Sequence, residues 1–204
     1  SLHFSTGMEK PPLESNDKNK LQVSDDMVVE YTIHSMLHSA TVEMDPTKLE
    51  LLEEFRKVDS GHQYSPKKSN VKVIISSKDW SEKKFLIYGS ESTDEARQYI
   101  EQVVKKVQDI GHEIRIRDEP RVTNLAINGD FGRRLNLEDI YTDLFSQKSQ
   151  MEYEPEQFPG IKFPLRDPTC TFLLFSTGTF VIQGLTSRVD IEPAIEAITE
   201  LIFN

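Results

Sequence analysis

Cysteine is almost missing from this sequence: Cys170 is the single one among 204 residues. One thiol cannot close an internal disulfide, and such scarcity fits a reducing compartment. Long apolar runs are missing as well. No stretch approaches the roughly 18 residues that a membrane-spanning helix needs, and no secretory signal is visible, so no membrane is expected among the partners. An excess of positive charge is also lacking. Twenty-four basic residues face 34 acidic ones, for a formal charge of −10, which taken alone speaks against nucleic acid. Signatures of catalysis are absent too: there is no GxGxxG or GxxxxGK[ST] phosphate cradle, no CxxC and no HExxH. His34 and His38 stand four apart in a strand-like pattern, where that spacing does not converge on a metal. Cys170 lies inside another strand pattern and reads as a small core hydrophobe. These absences point to a chain that is not an enzyme and needs neither metal nor cofactor.

What is present begins with residues 153–184. Three strand-like segments, Gly160–Leu165, Thr169–Phe175 and Thr179–Ile182, are set off by Pro159-Gly160, Asp167-Pro168 and the Ser176-Thr177-Gly178 turn. Period-2 geometry sends Leu173, Phe175, Val181 and Gln183 to one face, and Phe172, Leu174, Phe180 and Ile182 to the other. Both faces are largely apolar. One can pack on helices; the other needs a reason to stay uncovered.

The chain also repeats itself. Phe85-Leu86-Ile87-Tyr88-Gly89 returns as Phe180-Val181-Ile182-Gln183-Gly184, offset by 95. At the same offset Ser92-Thr93-Asp94-Glu95 meets Ser187-Arg188-Val189-Asp190, each a hydroxyl followed by a carboxylate three residues on, the pattern of a capping box. Ile100, Val103 and Val107 then fall on Ile195, Ile198 and Ile202, the stripe of an amphipathic helix. Upstream, Tyr64-Ser65-Pro66 matches Tyr153-Glu154-Pro155 at an offset of 89, and Phe55 matches Phe145 at 90. The rise from 89 to 95 implies about six residues lost from the first copy between Tyr64 and Phe85.

Each copy reads strand, short helix, strands, long helix. In the first, Val28–Val42 is a strand and Asp45-Pro46 opens a short helix reaching about Phe55. Val71–Ser76 and Lys84–Tyr88 are strands around a loop at Ser77–Lys83, and Ser92–Ile110 is the long helix. The second runs from a strand at Glu113–Asn128 through a short helix near Leu137–Phe145 to a long helix at Ser187–Phe203. Residues 1–27, rich in Pro, Asn, Asp, Lys and Ser, read as a disordered tail; 28–112 and 113–204 are the two repeats. Runs of strands with helices to one side give an α+β fold.

Tyr153-Glu154-Pro155-Glu156, Phe158-Pro159-Gly160, the Leu173-Leu174-Phe175 strand and the Gly178…Gly184 spacing together resemble the C-terminal repeat of the TATA-binding-protein family. The resemblance implies a saddle: two pseudo-symmetric repeats forming one curved antiparallel sheet, with helices on the convex side. It implies a nuclear transcription initiation factor, if the source is eukaryotic, whose concave face takes the DNA minor groove. On that face Phe158 and Phe175 match the two wedge positions of the second repeat. Asn124 matches the base-edge asparagine, and Ala126, Leu173 and Val181 match groove-lining positions. Gln183 replaces a base-touching threonine. In the first repeat Leu86 and Tyr88 hold the equivalents of Val181 and Gln183. The loop carrying Glu154, Glu156 and Gln157 is similar to the stirrup that receives a B-type general transcription factor. An A-type factor or other initiation-complex subunits are further partners the family implies. The alternative function is a protein-interaction platform with little DNA binding of its own.

The first copy departs from that pattern. Against the family pattern, Asn124 has Ile33 or, with a one-residue shift, Thr32 as its counterpart, the first wedge position falls on Ser69, and only Trp80 is aromatic near the second. Phosphate contacts are thinned as well: Pro164 and Thr179 stand at two of the family's basic positions, while Lys84 keeps one, and Lys162, Arg166, Lys67 and Lys68 are candidate substitutes.

Overall fold

Alternation of apolar and polar residues builds the strands. The computed structural model describes residues 18–44, 54–58, 61–67, 69–79, 82–145 and 150–204. Its elements in order are β1 (Asn19–Ser24), β2 (Met27–Met44), β3 (Phe55–Val58), β4 (Gly61–Tyr64), β5 (Lys72–Asp79), β6 (Glu82–Tyr88), α1 (Thr93–Asp109), β7 (Ile114–Asp130) and α2 (Leu137–Phe145). They continue with β8 (Gly160–Arg166), β9 (Thr169–Phe175), β10 (Thr179–Leu185), a 3-10 turn (Arg188–Asp190) and α3 (Ile191–Phe203). All the strands join one curved antiparallel sheet in the order β3-β4-β5-β6-β2-β7-β10-β9-β8, with β1 beside β2. The order is symmetric about the central β2–β7 pair: β6, β5 and β4 on one side answer β10, β9 and β8 on the other.

The helices cover one face. Ile100, Val103 and Val107 of α1 are buried against Val73, Ile75, Phe85 and Ile87; Ala194, Ile195 and Ile198 of α3 are buried against Phe163, Phe172, Leu174, Phe180 and Ile182. Each such side chain, fully removed from water, contributes about 1.5–3 kcal/mol before ordering costs. Phe180 can lie across β7 because residue 129 is glycine: a Cβ there would stand 2.0 Å from the ring's Cζ. The opposite face carries no helix among the described residues, and its Leu173 and Val181 are only half-buried.

The capping box of α1 is present. Ser92 Oγ accepts the Glu95 N–H at 3.1 Å, and Glu95 Oε2 accepts the Glu91 N–H at 2.7 Å. Its counterpart is not: neither Ser187 nor Asp190 makes a side-chain cap bond, and α3 begins only at Ile191, after the 3-10 turn. Asp190 is one methylene shorter than Glu95. In addition, Arg188 of that turn donates instead to the Glu91 carbonyl at 3.1 Å.

Three other expectations are corrected. Residues 19–24, assigned to the tail, form β1, because Leu21 and Val23 alternate onto the core beside β2. Phe55, expected to end a short helix, opens β3 and stacks on Tyr64 with centroids 5.4 Å apart; residues 45–53 lie outside the described residues. The loop expected at Ser77–Lys83 is mostly strand, since β5 reaches Asp79 and β6 starts at Glu82.

Sheet register also relocates the lost residues. Leu86 pairs with Ile74, which pairs with Gln63; their mates are Val181, Leu173 and Lys162. Gln63 therefore answers Lys162, and Tyr64 answers Phe163 rather than Tyr153. Beyond those residues, Lys162 bridges back to Glu152 whereas Gln63 pairs with Arg56. Where the second copy has the long loop before β8, the first copy thus has β3, whose Val58 pairs with Gly61.

Candidate nucleic-acid interface

The uncovered face is assembled from every second residue of the strands. One row crosses it from Lys162 through Leu173, Val181 and Asn128 to Thr32; the symmetric row runs Arg56, Gln63, Ile74, Leu86, Ser39 and Arg121. Aliphatic side chains occupy the middle of both rows, and cations stand at their outer ends. Of the sequence candidates, Asn124, Ala126, Leu173, Val181, Gln183, Leu86 and Tyr88 all lie on this face. Tyr88 is 40% exposed, next to Leu37 and Lys72.

At the β8–β9 end two aromatic rings meet. Phe158 and Phe175 have centroids 5.8 Å apart with planes inclined by 60°, and both are half-buried rather than part of the core. Their seat is Gly160, paired with Phe175 across the strands. A Cβ on that glycine would come within 3.1 Å of either ring and 2.7 Å of the Leu174 carbonyl. Lys162 Nζ stands 5.3 Å from the Phe158 ring centre, within cation–π range. Phe158 is presented by a turn in which the Glu154 carbonyl accepts the N–H groups of both Gln157 and Phe158 at 3.0 Å. Glu154, Glu156 and Gln157 are exposed on its rim, while Tyr153 anchors it against Tyr141 of α2, with centroids 5.6 Å apart.

Asn124 has a fixed amide. Its Oδ1 accepts the Gly184 N–H at 2.9 Å, which turns the amide nitrogen, a donor, away from that bond. Donors of this kind suit the acceptor atoms on the floor of an A·T minor groove.

Among the described residues the symmetric end has no such pair. Counting along the aligned strands, Ser76, paired with Gly61, answers Phe175, paired with Gly160. The wedge equivalents are therefore not Ser69 and Trp80. Ser69 lies beyond β4, where its hydroxyl meets the Tyr99 hydroxyl at 3.2 Å. Trp80 lies outside the described residues, as does the position two before Gly61 that answers Phe158. Asn124 likewise answers Ser35, which is exposed; Ile33, its expected counterpart, is buried in the core. The offset of 89 that matches Tyr64 to Tyr153 also matches Ser35 to Asn124, and sheet register agrees with it. Period-2 reading would have found Ile74 and Asn128, whereas Arg56 lies just past the helix expected to end near Phe55 and was assigned to no element.

The buried ionisable groups sit on the other side and offer no chemistry to this face. Burial, and then Asp190, pushes the Cys170 thiol up to about 12, so it stays protonated. Tyr31, raised by burial and by Glu192, donates its hydroxyl to Glu192 of α3 at 2.9 Å.

Residues 119–204 match the family model described as transcription factor TFIID, or TATA-binding protein. The TATA-box-binding protein of Archaeoglobus fulgidus is 39% identical over 119 residues, and that of Methanocaldococcus jannaschii 35% over 114. These matches take in 57% and 56% of this chain and span 63% and 60% of the relatives' length. Among solved structures, the Methanococcus jannaschii TBP superposes with a TM-score of 0.71 at 28% identity, covering 84% of this chain and 97% of that one.

Proposed function

Because the chain is a member of the TATA-binding-protein family, by its second half in sequence and by nearly its whole length in fold, we propose that it is a TATA-box-binding transcription initiation factor gripping the minor groove mainly through its second repeat. One observation carries this: Phe158 and Phe175, two large aromatic side chains, stand together on an uncovered sheet face instead of in the core. Exposing them costs apolar burial, and a stacked base step recovers it, because ring faces replace the lost base stacking. Kinking by such wedges is already established for TATA-binding proteins as a class. Leu173, Val181, Ala126 and Leu86 supply the apolar floor, and Asn124 and Gln183 supply amides for base edges. Glu154, Glu156 and Gln157 present carboxylates and an amide to a B-type factor. A carboxylate pair on a Pro155-fixed loop can meet arginines bidentately.

The test is a gel shift of the full chain on a TATA-containing duplex and on one with the TATA element scrambled, with and without a B-type factor. A retarded TATA complex that Phe175→Ala abolishes is expected. Equal affinity for the two duplexes would sink the TATA reading. A second reading, a protein-binding platform, is favoured by Glu30 and Asp130, paired carboxylates on the same face; it predicts no DNA complex without another protein.

A further inference from the structure

Strand β1 has no counterpart in the symmetric half of the sheet among the described residues. It pairs with the part of β2 that β6 leaves free: β6 joins β2 from Leu37 to Val42, and β1 joins it from Met27 to Tyr31. Leu21 and Val23 face the core, so Lys20 and Gln22 lie on the uncovered face with their partners Glu30 and Val28. One rim of that face thus reads Thr179, Asp130, Glu30, Lys20 across four strands. Lys20 Nζ reaches Glu30 at 3.8 Å, and Lys18 borders the same small hollow as Glu30, Thr32, Asn128 and Asp130.

The rim is badly charged for DNA without β1. Its carboxylates Asp130 and Glu30 sit side by side, and Thr179 stands where the other half has Lys84. Lys20 of β1 and Lys18 just before it are the cations brought to this place, and both are exposed.

Resting on the minor-groove reading above, we propose that β1 is an accessory DNA-contacting strand whose Lys20, with Lys18 just before the strand, engages backbone phosphates beside the Glu30–Asp130 pair. The chemistry is charge complementarity on a surface continuous with the aromatic pair. Four strand spacings, about 19 Å in all, separate β1 from β9, which carries Phe175. That distance corresponds to five or six phosphates at about 3.4 Å per nucleotide. The contact would therefore fall about half a turn of DNA from the kinked step.

Salt dependence tests this, because each phosphate neutralised releases counterions. The full chain, Lys18→Gln/Lys20→Gln, and the same pair with Glu30→Gln are titrated against one fluorescent TATA duplex between about 50 and 200 mM salt. Loss of two contacts should lower the log–log slope by about 2, cutting the affinity change over that range roughly tenfold. The added Glu30→Gln should not restore the slope. Hydroxyl-radical footprints should lose protection at the phosphates five or six from the kink and nowhere else. An unchanged slope overturns the proposal, as does full recovery in the triple variant, which would mean that the lysines merely neutralise Glu30. If the unaltered chain binds no duplex at any salt, the minor-groove reading itself falls, and this contact with it.

Discussion

A single missing Cβ at Gly160 decides what the uncovered face can hold. With 3.1 Å to both rings and 2.7 Å to a carbonyl, Gly160→Ala must displace the Phe158–Phe175 pair. The overpacking should cost about 1–3 kcal/mol in urea unfolding, and DNA bending should fall far more than fold stability. His38 gives a second residue-scale test, on the other side of the sheet. It is fully buried, its Nδ1 is 2.9 Å from Ser90 Oγ and its Nε2 is 3.2 Å from Thr93 Oγ1. Burial, and then Arg188, hold its pKa below the ordinary 6.5. The folded state therefore binds this proton less readily than the unfolded one. The resulting stability is present above pH 6.5 and is lost as the pH falls through the depressed pKa. His38→Gln should flatten that slope in a pH series of urea melts, and an equally steep loss in the variant would clear His38. The places of Phe158 and Phe175 were legible in alternation and motif. The counterpart of Asn124 was legible as well, since the offset of 89 leads to Ser35, two residues past the expected Ile33.

Among elements, α2 was the most legible, its bounds agreeing with the apolar spacing of Leu137, Ile140 and Leu144. The two long helices teach the opposite lesson. The same hydroxyl-to-carboxylate spacing caps α1 and fails to cap α3, since the reach of the carboxylate and the rival bond of Arg188 are not part of the spacing. Ser92→Ala should therefore cost about 1 kcal/mol, and Ser187→Ala under about 0.5, in the same denaturant titration; equal costs would contradict this difference. The loop before β8 carries its own prediction. Glu154→Ala with Glu156→Ala should leave stability within about 0.5 kcal/mol and weaken capture of a B-type factor in a pull-down. Undiminished capture removes that loop from the contact. Missing β3, with its first residue Phe55 placed at the end of a helix, has a physical source: Asp45-Pro46 is a sound start signal, but nothing local announces β3, which depends on the distant Tyr64 and Gln63.

At the scale of the whole molecule, the α+β sheet with helices on one side was legible because the apolar patterns of strands and helices demand it. Its asymmetry was only half visible, for register alone shows that Ser76 stands opposite in role to Phe175. On the proposed minor-groove function, one aromatic pair among the described residues predicts one principal kink. Energy transfer across an end-labelled TATA duplex should report a bend clearly below the roughly 80° known for TATA-binding proteins. Ser76→Phe should enlarge it, and a full bend by the unaltered chain would show that aromatic wedges at both ends are not needed. The central strand pair has a consequence in time. Glu30 pairs with Asp130 and Met44 with Ile114, so β2 meets its principal neighbour only after the whole first half has been synthesised. At about 5–20 residues per second, a ribosome takes roughly 5–20 s to travel from Glu30 to Asp130. Throughout that interval the nascent first half offers the unpaired edge of β2, open to any other emerging chain, until its own second half arrives to close it.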